Sequence, residues 1–592
     1  MSLTNETVAK YLIEIGVLMR LAGENEFRAR AFDRAARAIE TLGEDVNDYI
    51  RDKTLTDIPG IGKSIAIDIH TLDETGQIPV LVELTEKVPA GLLDWLSISG
   101  LGPKGIYKIH SQLGITTLDE LRNKCEDGSV AGLPGMGQKS ADKILRSMEW
   151  AVKFGQRSLV NEATEIAEAM YKDLAKQPGV EQISVAGSLR RGLETVGDID
   201  FLIAADKKYH ADIFHAFTGH DFVTEILGLG DTKSSVRTAE GRQVDLRIVS
   251  SDQFAAALMY FTGSKEHNVG LRQRARKKKM TLNEYGLYEL DDNDKINLQK
   301  PLSFKSESDI YRHLDLGYVP PELREDRGEF EYFSEHDSAD FLIEEKDIKG
   351  ILHAHSTWSD GKKTIREMSE ACMERGYSYL GLSDHSRTAA YAGGLTIESI
   401  QQQWREIDSL NEAFVKEGID FRVFKGIESD ILPDGSLDYP DDILKGFDFV
   451  IASVHASLEM PADKMTDRYK RAIANPYSNI IGHPTGRLLL RREGSKADLN
   501  ELITFAAEHN TAIETNTNPN RLDMDWRYGQ KAREVGLMTA ICPDAHRVRD
   551  LDYLKYGVKI ARKGWYDKDR VLNTRSATDV IKWFKKSSNT VL

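Results

Sequence analysis

Residues 187–206 read GSLRRGLETVGDIDFLIAAD, and this stretch sets how the middle of the chain folds. Its second half is a branched, apolar run of strand character. Asp198 and Asp200 lie two apart, so on a strand both carboxylates share one face and Ile199 takes the other. A later strand-like run, VDLRIV at 244–249, supplies Asp245. Three converging carboxylates without a thiol or imidazole favour a hard cation such as Mg²⁺. Two such ions about 3.5–4 Å apart would stabilise the attacking and leaving oxygens of an in-line phosphoryl transfer. Gly187 and Ser188 fit a backbone turn able to hold a triphosphate, and Arg191 is a fork donor for the same oxygens. For the tripeptide DID alone, an edge strand with solvated acids is the better reading. The upstream Gly-Ser and the third acid turn the balance toward a metal site.

Upstream, residues 1–150 carry helical periodicity, with Tyr11, Ile15, Leu18 and Leu21 on one stripe. One unit repeats three times: IPGIGKSIA at 58–66, ISGLGPKGI at 98–106 and LPGMGQKSA at 133–141. Each is a Gly-x-Gly turn leading into a helix, whose free N–H groups suit a DNA phosphate. Such contacts hold backbone without reading sequence. Gly60, Gly62, Lys63, Gly100, Gly102, Gly135, Gly137 and Lys139 are the expected DNA contacts. A plain packing corner competes evenly for one copy; three copies favour DNA.

Downstream of 346, seven strand candidates alternate with helical patterns: GILHAHS, YLGLSDHS, RVFKGIES, FDFVIASVHAS, NIIGHPT, TAIETNT and LMTAICPDAH. Parallel βα units covered on both faces imply a closed or nearly closed barrel. His353 and His355 alternate on one strand and are expected to face the same way. Asp360, His385, Glu428, His455, His483, Asp544 and His546 fall at or just beyond strand ends. Active sites of such barrels form on the rim where strand C-termini converge. Six imidazoles and three carboxylates exceed the needs of one ion, and mixed N/O donors suit Zn²⁺, Mn²⁺ or Fe²⁺.

Composition bounds the rest. The chain has 592 residues, with 78 basic against 94 acidic side chains and a formal charge of −16. An acidic total speaks weakly against a nucleic-acid partner, but it does not report local patches. The three cysteines are far apart and form no CxxC, which speaks against a disulfide framework and suits a reducing compartment. No apolar run approaches the ~20 residues of a membrane span, and the N-terminal stretch lacks a basic n-region and cleavage site. The expectation is a cytoplasmic, nucleoid-associated protein without a membrane partner.

The set GSLRRG…GDIDFL, QVDLR and YFTGSKEHNVGLR resembles the family X DNA polymerases over about residues 1–317. The resemblance implies that Asp198, Asp200 and Asp245 bind Mg²⁺ or Mn²⁺ and that Asp245 helps activate the primer 3′-hydroxyl. It also implies that Ser188, Arg191 and Gly197 line the triphosphate, that Tyr260, Phe261 and Gly263 flank the sugar, and that Asn268 and Arg272 reach the base pair. Tyr260-Phe261 stands where the family excludes a 2′-hydroxyl. Residues 346–592 resemble the PHP (polymerase and histidinol phosphatase) domain. Its nine-ligand pattern carries onto the nine barrel residues above, implying up to three Zn²⁺, Mn²⁺ or Fe²⁺ and phosphoester hydrolysis. Three positions depart from these patterns: Val196 near the triphosphate, Pro543 before Asp544, and Asp68 where lyase-bearing relatives carry a lysine. A carboxylate cannot form a Schiff base, so a lyase activity is not expected unless an amine such as Lys63 substitutes.

The expected organisation is multidomain. It comprises a helical helix-hairpin-helix region (1–80 and 81–150), an α/β nucleotidyltransferase palm (151–250), a thumb (251–317), a linker (318–345) and a (βα)7-type PHP barrel (346–592). The expected function is template-directed filling of short DNA gaps with deoxynucleoside triphosphates by a monomer on gapped or primed duplex, joined to 3′–5′ end processing. The alternatives are a barrel that is structural, or one that acts as a small-molecule phosphatase.

Overall fold

The computed structural model describes residues 3–40, 42, 45–98, 101–154, 157–291 and 301–587. The chain divides into two compact units, one made chiefly of residues up to 155 and one of those beyond. The first unit is helical around its own core, which includes Leu12, Ile15, Phe32, Ile69, Trp95 and Ile106. Two of the Gly turns end on helix caps: Gly62 caps Lys63–Thr75, and Gly102 caps Pro103–Leu113.

Among its described residues the second unit holds two large sheets and two short two-stranded ones. The palm sheet has five strands in the order Val180–Val185, Asp198–Ala205, Gln243–Val249, Lys233–Thr238, Val223–Leu229. The Asp198 strand is parallel to the Gln243 strand; the other pairings are antiparallel. Alternation along Asp198–Ala205 sorts its side chains cleanly. Ile199, Phe201, Ile203 and Ala205 pack with helix residues Ala163, Ile166 and Met170. Leu202 and Ala204 face the other way, against Phe254, Ala257 and Leu258. Asp198 and Asp200 share the parity of Leu202, so they lie on the side of helix Phe254–Thr262, which carries Tyr260 and Phe261.

Residues 318–345, expected as a linker, are packed onto the thumb. Leu323, Arg324, Glu329 and Phe333 are buried. His267 of the thumb lies 2.8 Å from both Glu329 Oε1 and Tyr311 Oη and stacks on Phe330. Glu307 accepts from Arg190 of the palm and, at 2.6 Å, from Arg324. The segment reads as a linker because its order comes from charges paired across the fold and from scattered apolar residues such as Val319, Leu323 and Phe333, without hydrophobic periodicity.

The barrel strands are Gly350–Ala354, Tyr379–Leu382, Arg422–Asp430, Phe449–Ser453, Ile480–Ile481, Ala512–Asn516 and Thr539–Cys542, all parallel and paired in that order. Bonds between the ends of the first and last strands nearly close the ring: His355 N–H donates to Ala545 O at 2.8 Å, and Ala545 N–H to His353 O at 3.3 Å. Helix Ala577–Ser587 stoppers one end of the interior, where Phe584 stacks on Phe449 with centroids 5.1 Å apart. Palm and barrel share apolar packing, with Leu522, Trp526, Tyr556 and Ile560 of the barrel joining the palm core. Among the described residues no helix is long and apolar enough to cross a membrane.

Candidate functional site

In the palm, the parallel register sets Asp200 directly beside Asp245, with Asp198 beside Gln243. Asp198 is exposed, Asp200 half-buried and Asp245 buried. Burial, then the charges of Asp198 and Asp245, pushes the Asp200 carboxyl up to about 7. Two features explain why the trio does not close as tightly as expected. Lys233 Nζ holds Asp245 Oδ2 at 2.6 Å, and like charges keep the acids apart. Among the described residues the three are not within 4.8 Å of one another, as the barrel ligands are. Neighbouring acids whose burial and mutual repulsion raise one of them are a fit for divalent cations. Lys233 was not legible beforehand, because it lies on a different strand and points inward only through the sheet order.

The remaining pocket residues gather nearby. Gly187, at φ +61°, could not carry a Cβ, which would stand 2.2 Å from Asp200 Oδ2. Tyr260 and Phe261 meet edge to face, and the Arg247 guanidinium lies 4.4 Å over Phe261. Asn268 Nδ2 donates to Tyr260 O at 2.7 Å. Arg191 Nε donates to Glu325 at 2.9 Å, and its Nη1 donates to Thr262 O. Arg272 is exposed on the helix that carries Asn268.

At the barrel rim, three donor groups form: His355, Asp360, His385 and His546; His353, His355 and Asp544; His385, Glu428 and His455. His483 Nε2 adds to the third, 2.9 Å from Glu428 Oε1. The two first histidines do not reach the site by simple alternation. The strand bulges between Leu352 and Ala354, and His353 has φ +68°. Asp544 is also left-handed, at φ +53°. Such strain in non-glycine residues persists only where surrounding structure imposes it, and it clusters at working sites. His353 Nε2, His355 Nδ1 and Asp360 Oδ1 are buried without a hydrogen bond. Nitrogen and oxygen donors this close, with lone pairs unspent, fit transition-metal cations.

The rim's protonation is held by neighbours. Burial alone would lower the His455 imidazole, but Glu428 and Asp430 raise it to about 10. Burial, then His546 and His385, drives His355 down to about 3. A second layer went unread in the sequence. Glu514, fully buried, pairs with His353 Nδ1 at 2.5 Å and accepts from His483 N–H. Asp430 accepts from His455 Nδ1, and Asp384 accepts from Ser356 N–H at 2.8 Å and Gln403 Nε2 at 2.7 Å. A charged residue within a candidate parallel strand, as Glu514 is in TAIETNT, was the available signal.

Of the expected DNA contacts, Gly62, Gly102 and Gly137 have open space where a Cβ would stand, and Lys63 and Lys139 are exposed. Gly60 and Gly135 take positive φ, as tight turns require. Gly100 lies outside the described residues. Asp68 is half-buried beside Arg28, and burial raises its carboxyl.

Family models match in chain order: a helix-hairpin-helix domain over 3–78, a SAM-like helix-hairpin-helix tandem over 92–149, the DNA polymerase beta palm over 157–239, the DNA polymerase beta thumb over 257–325 and the PHP domain over 352–518. The chain is 40% identical over 582 residues, 98% of its length and 99% of the relative's, to the DNA polymerase/3′-5′ exonuclease PolX of Bacillus subtilis. It is 28% identical over 323 residues (51% of the chain, 53% of the relative) to DNA polymerase lambda of Rattus norvegicus. It is 30% identical over 243 residues (38% of the chain, 91% of the relative) to a probable phosphatase of Thermoanaerobacter sp..

Proposed function

The chain belongs to the family of the DNA polymerase/3′-5′ exonuclease PolX, and from this premise we propose that it fills short gaps in DNA at the palm and trims 3′ ends at the barrel. The observation that carries the reading is the pairing of Asp200 with Asp245 on neighbouring parallel strands, on the side of the sheet that faces Tyr260 and Phe261.

Asp198, Asp200 and Asp245 would hold Mg²⁺ or Mn²⁺, and the nine rim residues up to three Zn²⁺, Mn²⁺ or Fe²⁺. When bound, these ions would supply Lewis-acid polarisation of phosphoryl oxygens at both centres. Against the upward push of burial, hydrogen bonds from Lys233, Gln243 and Ser235 hold the Asp245 carboxyl below its usual range. It is therefore ionised at neutral pH, as a cation ligand that helps activate a primer 3′-hydroxyl would need to be. Gly187, Ser188, Arg191 and Gly197 receive the triphosphate. Tyr260 and Phe261 crowd the sugar and exclude a 2′-hydroxyl. Asn268 and Arg272 meet the base pair.

At the rim, Glu514 and Asp430 fix the rings of His353 and His455 by holding the nitrogen turned away from the donor cluster. The Gly-x-Gly turns and Lys63 and Lys139 grip the phosphate backbone of the gapped duplex. A cytoplasmic, nucleoid-associated monomer is the simplest setting for these activities.

The test is a one-nucleotide-gapped duplex incubated with each metal, with and without deoxynucleotides. Template-directed addition with them and 3′ shortening without them is the expected result. Release of phosphate from small esters with no change to the DNA would refute the barrel reading, and untemplated addition the palm reading.

A further inference from the structure

Barrel helix Leu554–Lys563 ends on a lysine whose side chain is fully buried, away from the nine rim residues. Its ammonium donates to three oxygens: the Glu325 carboxylate, Arg191 O at 3.2 Å and Glu322 O at 3.3 Å. All three donors of the ammonium are thereby used. The same Glu325 oxygen accepts from Arg191 Nε at 2.9 Å, and Arg191 Nη1 is spent on Thr262 O. Among the described residues, Arg191 Nη2 is left without a protein partner. Two cations thus share one carboxylate oxygen, one from the barrel and one from the palm pocket. Trp526 lies beneath the ammonium, with its ring centroid 4.6 Å away.

A buried charge is costly unless paired, and breaking such a pair is worse than never having formed it. Burial, only partly offset by Glu325, holds this lysine down to about 8. A hydrophobic residue would fill the same space without that cost, so packing alone does not account for a lysine here. What the ammonium adds is a fixed position for Glu325 and for the backbone of residue 191.

We propose that Lys563 is a positioning residue for nucleotide addition: through Glu325 and the Arg191 carbonyl, the barrel fixes the guanidinium that receives the incoming triphosphate. This rests on the reading of the palm as the site of nucleotide addition. An arginine held in one geometry binds a triphosphate at lower entropic cost, so the effect falls on nucleotide affinity more than on the chemical step.

The experiment measures steady-state gap filling by the full-length wild type, E325Q, K563M and the double variant, with 3′ digestion followed in parallel. E325Q keeps the shape but leaves Lys563 and Arg191 repelling each other. KM for the deoxynucleotide should rise about tenfold, as loss of a charged hydrogen bond would give, with kcat and 3′ digestion within about twofold of wild type. K563M should raise KM less. The double variant should lie below the product of the two single effects, because no unpaired buried cation remains. Unchanged KM in E325Q, multiplicative effects in the double variant, or a parallel fall of kcat and digestion would each overturn the inference. A wild type that adds no nucleotide would instead sink the palm reading on which it rests.

Discussion

Palm and barrel both set acids on neighbouring parallel strands, yet they handle the resulting charge in different ways. The palm leaves Asp198 in water, gives Asp245 a lysine partner and lets Asp200 absorb the repulsion as a raised pKa. The barrel buries six of its nine donors, ties them to a second layer of carboxylates and bends the backbone at His353 and Asp544. The first arrangement suits ions that arrive with a charged substrate. The second suits ions that stay.

The sharpest way to break this contrast is to disable one centre at a time. D198A/D200A should cut nucleotide addition by at least about 10³-fold, the order lost when transition-state charge stabilisation is removed. Metal-dependent 3′ digestion should survive, and H353A/H355A should give the reverse pattern. If either pair abolishes both activities in a folded protein, the centres are not separate.

Metal retention tests the second half of the contrast. After exhaustive dialysis, elemental analysis should find ions at the barrel and none at the palm. E514Q should weaken that retention by about 10–100-fold, as loss of a carboxylate behind a metal-binding histidine does. Retention equal to wild type would reduce Glu514 to packing.

A pH series sharpens the palm's side. The raised Asp200 carboxyl is protonated below about 7 and must lose that proton to bind a cation. The apparent Mg²⁺ affinity for gap filling should therefore rise as pH increases through 7, by up to about tenfold per unit below it. D198N removes one of the repelling charges and should shift the titration of the Asp200 carboxyl, followed by NMR in metal-free protein, to lower pH. A profile that ignores this substitution would show that Asp198 and Asp200 do not sense each other.

The smallest effect belongs to the DNA grip, which should not distinguish the centres. K63A or K139A should each lower the salt slope of DNA binding by about one. Both activities should weaken together at moderate salt; loss of only one would assign the turns to a single centre.

Much of this was legible because it depended on short-range periodicity. Two-residue spacing put Asp198 and Asp200 on one face, and seven strand-like runs, six of them followed by a rim His or acid, gave the barrel and its rim. Partners distant in sequence were not legible. His353 and Glu514 are 161 residues apart, and Glu307 is 117 from Arg190. Their pairing depends on sheet order and closure, which no local pattern encodes. For the same reason residues 318–345 looked like a solvated connector, although Arg324 and Glu329 are buried. The bulge at His353, in the pairing with strand Tyr379–Leu382, is a further case: no local pattern in GILHAHS announces it.

The left-handed backbone at residue 353 also bears on how such a centre decays over generations. Glycine and asparagine are the residues most at ease in that conformation, and neither brings an imidazole. Foldability and ligation therefore pull on one codon in opposite directions. In a lineage released from selection on its barrel ions, position 353 would be an early one to erode, and the substitution would make the domain sturdier as it became inert.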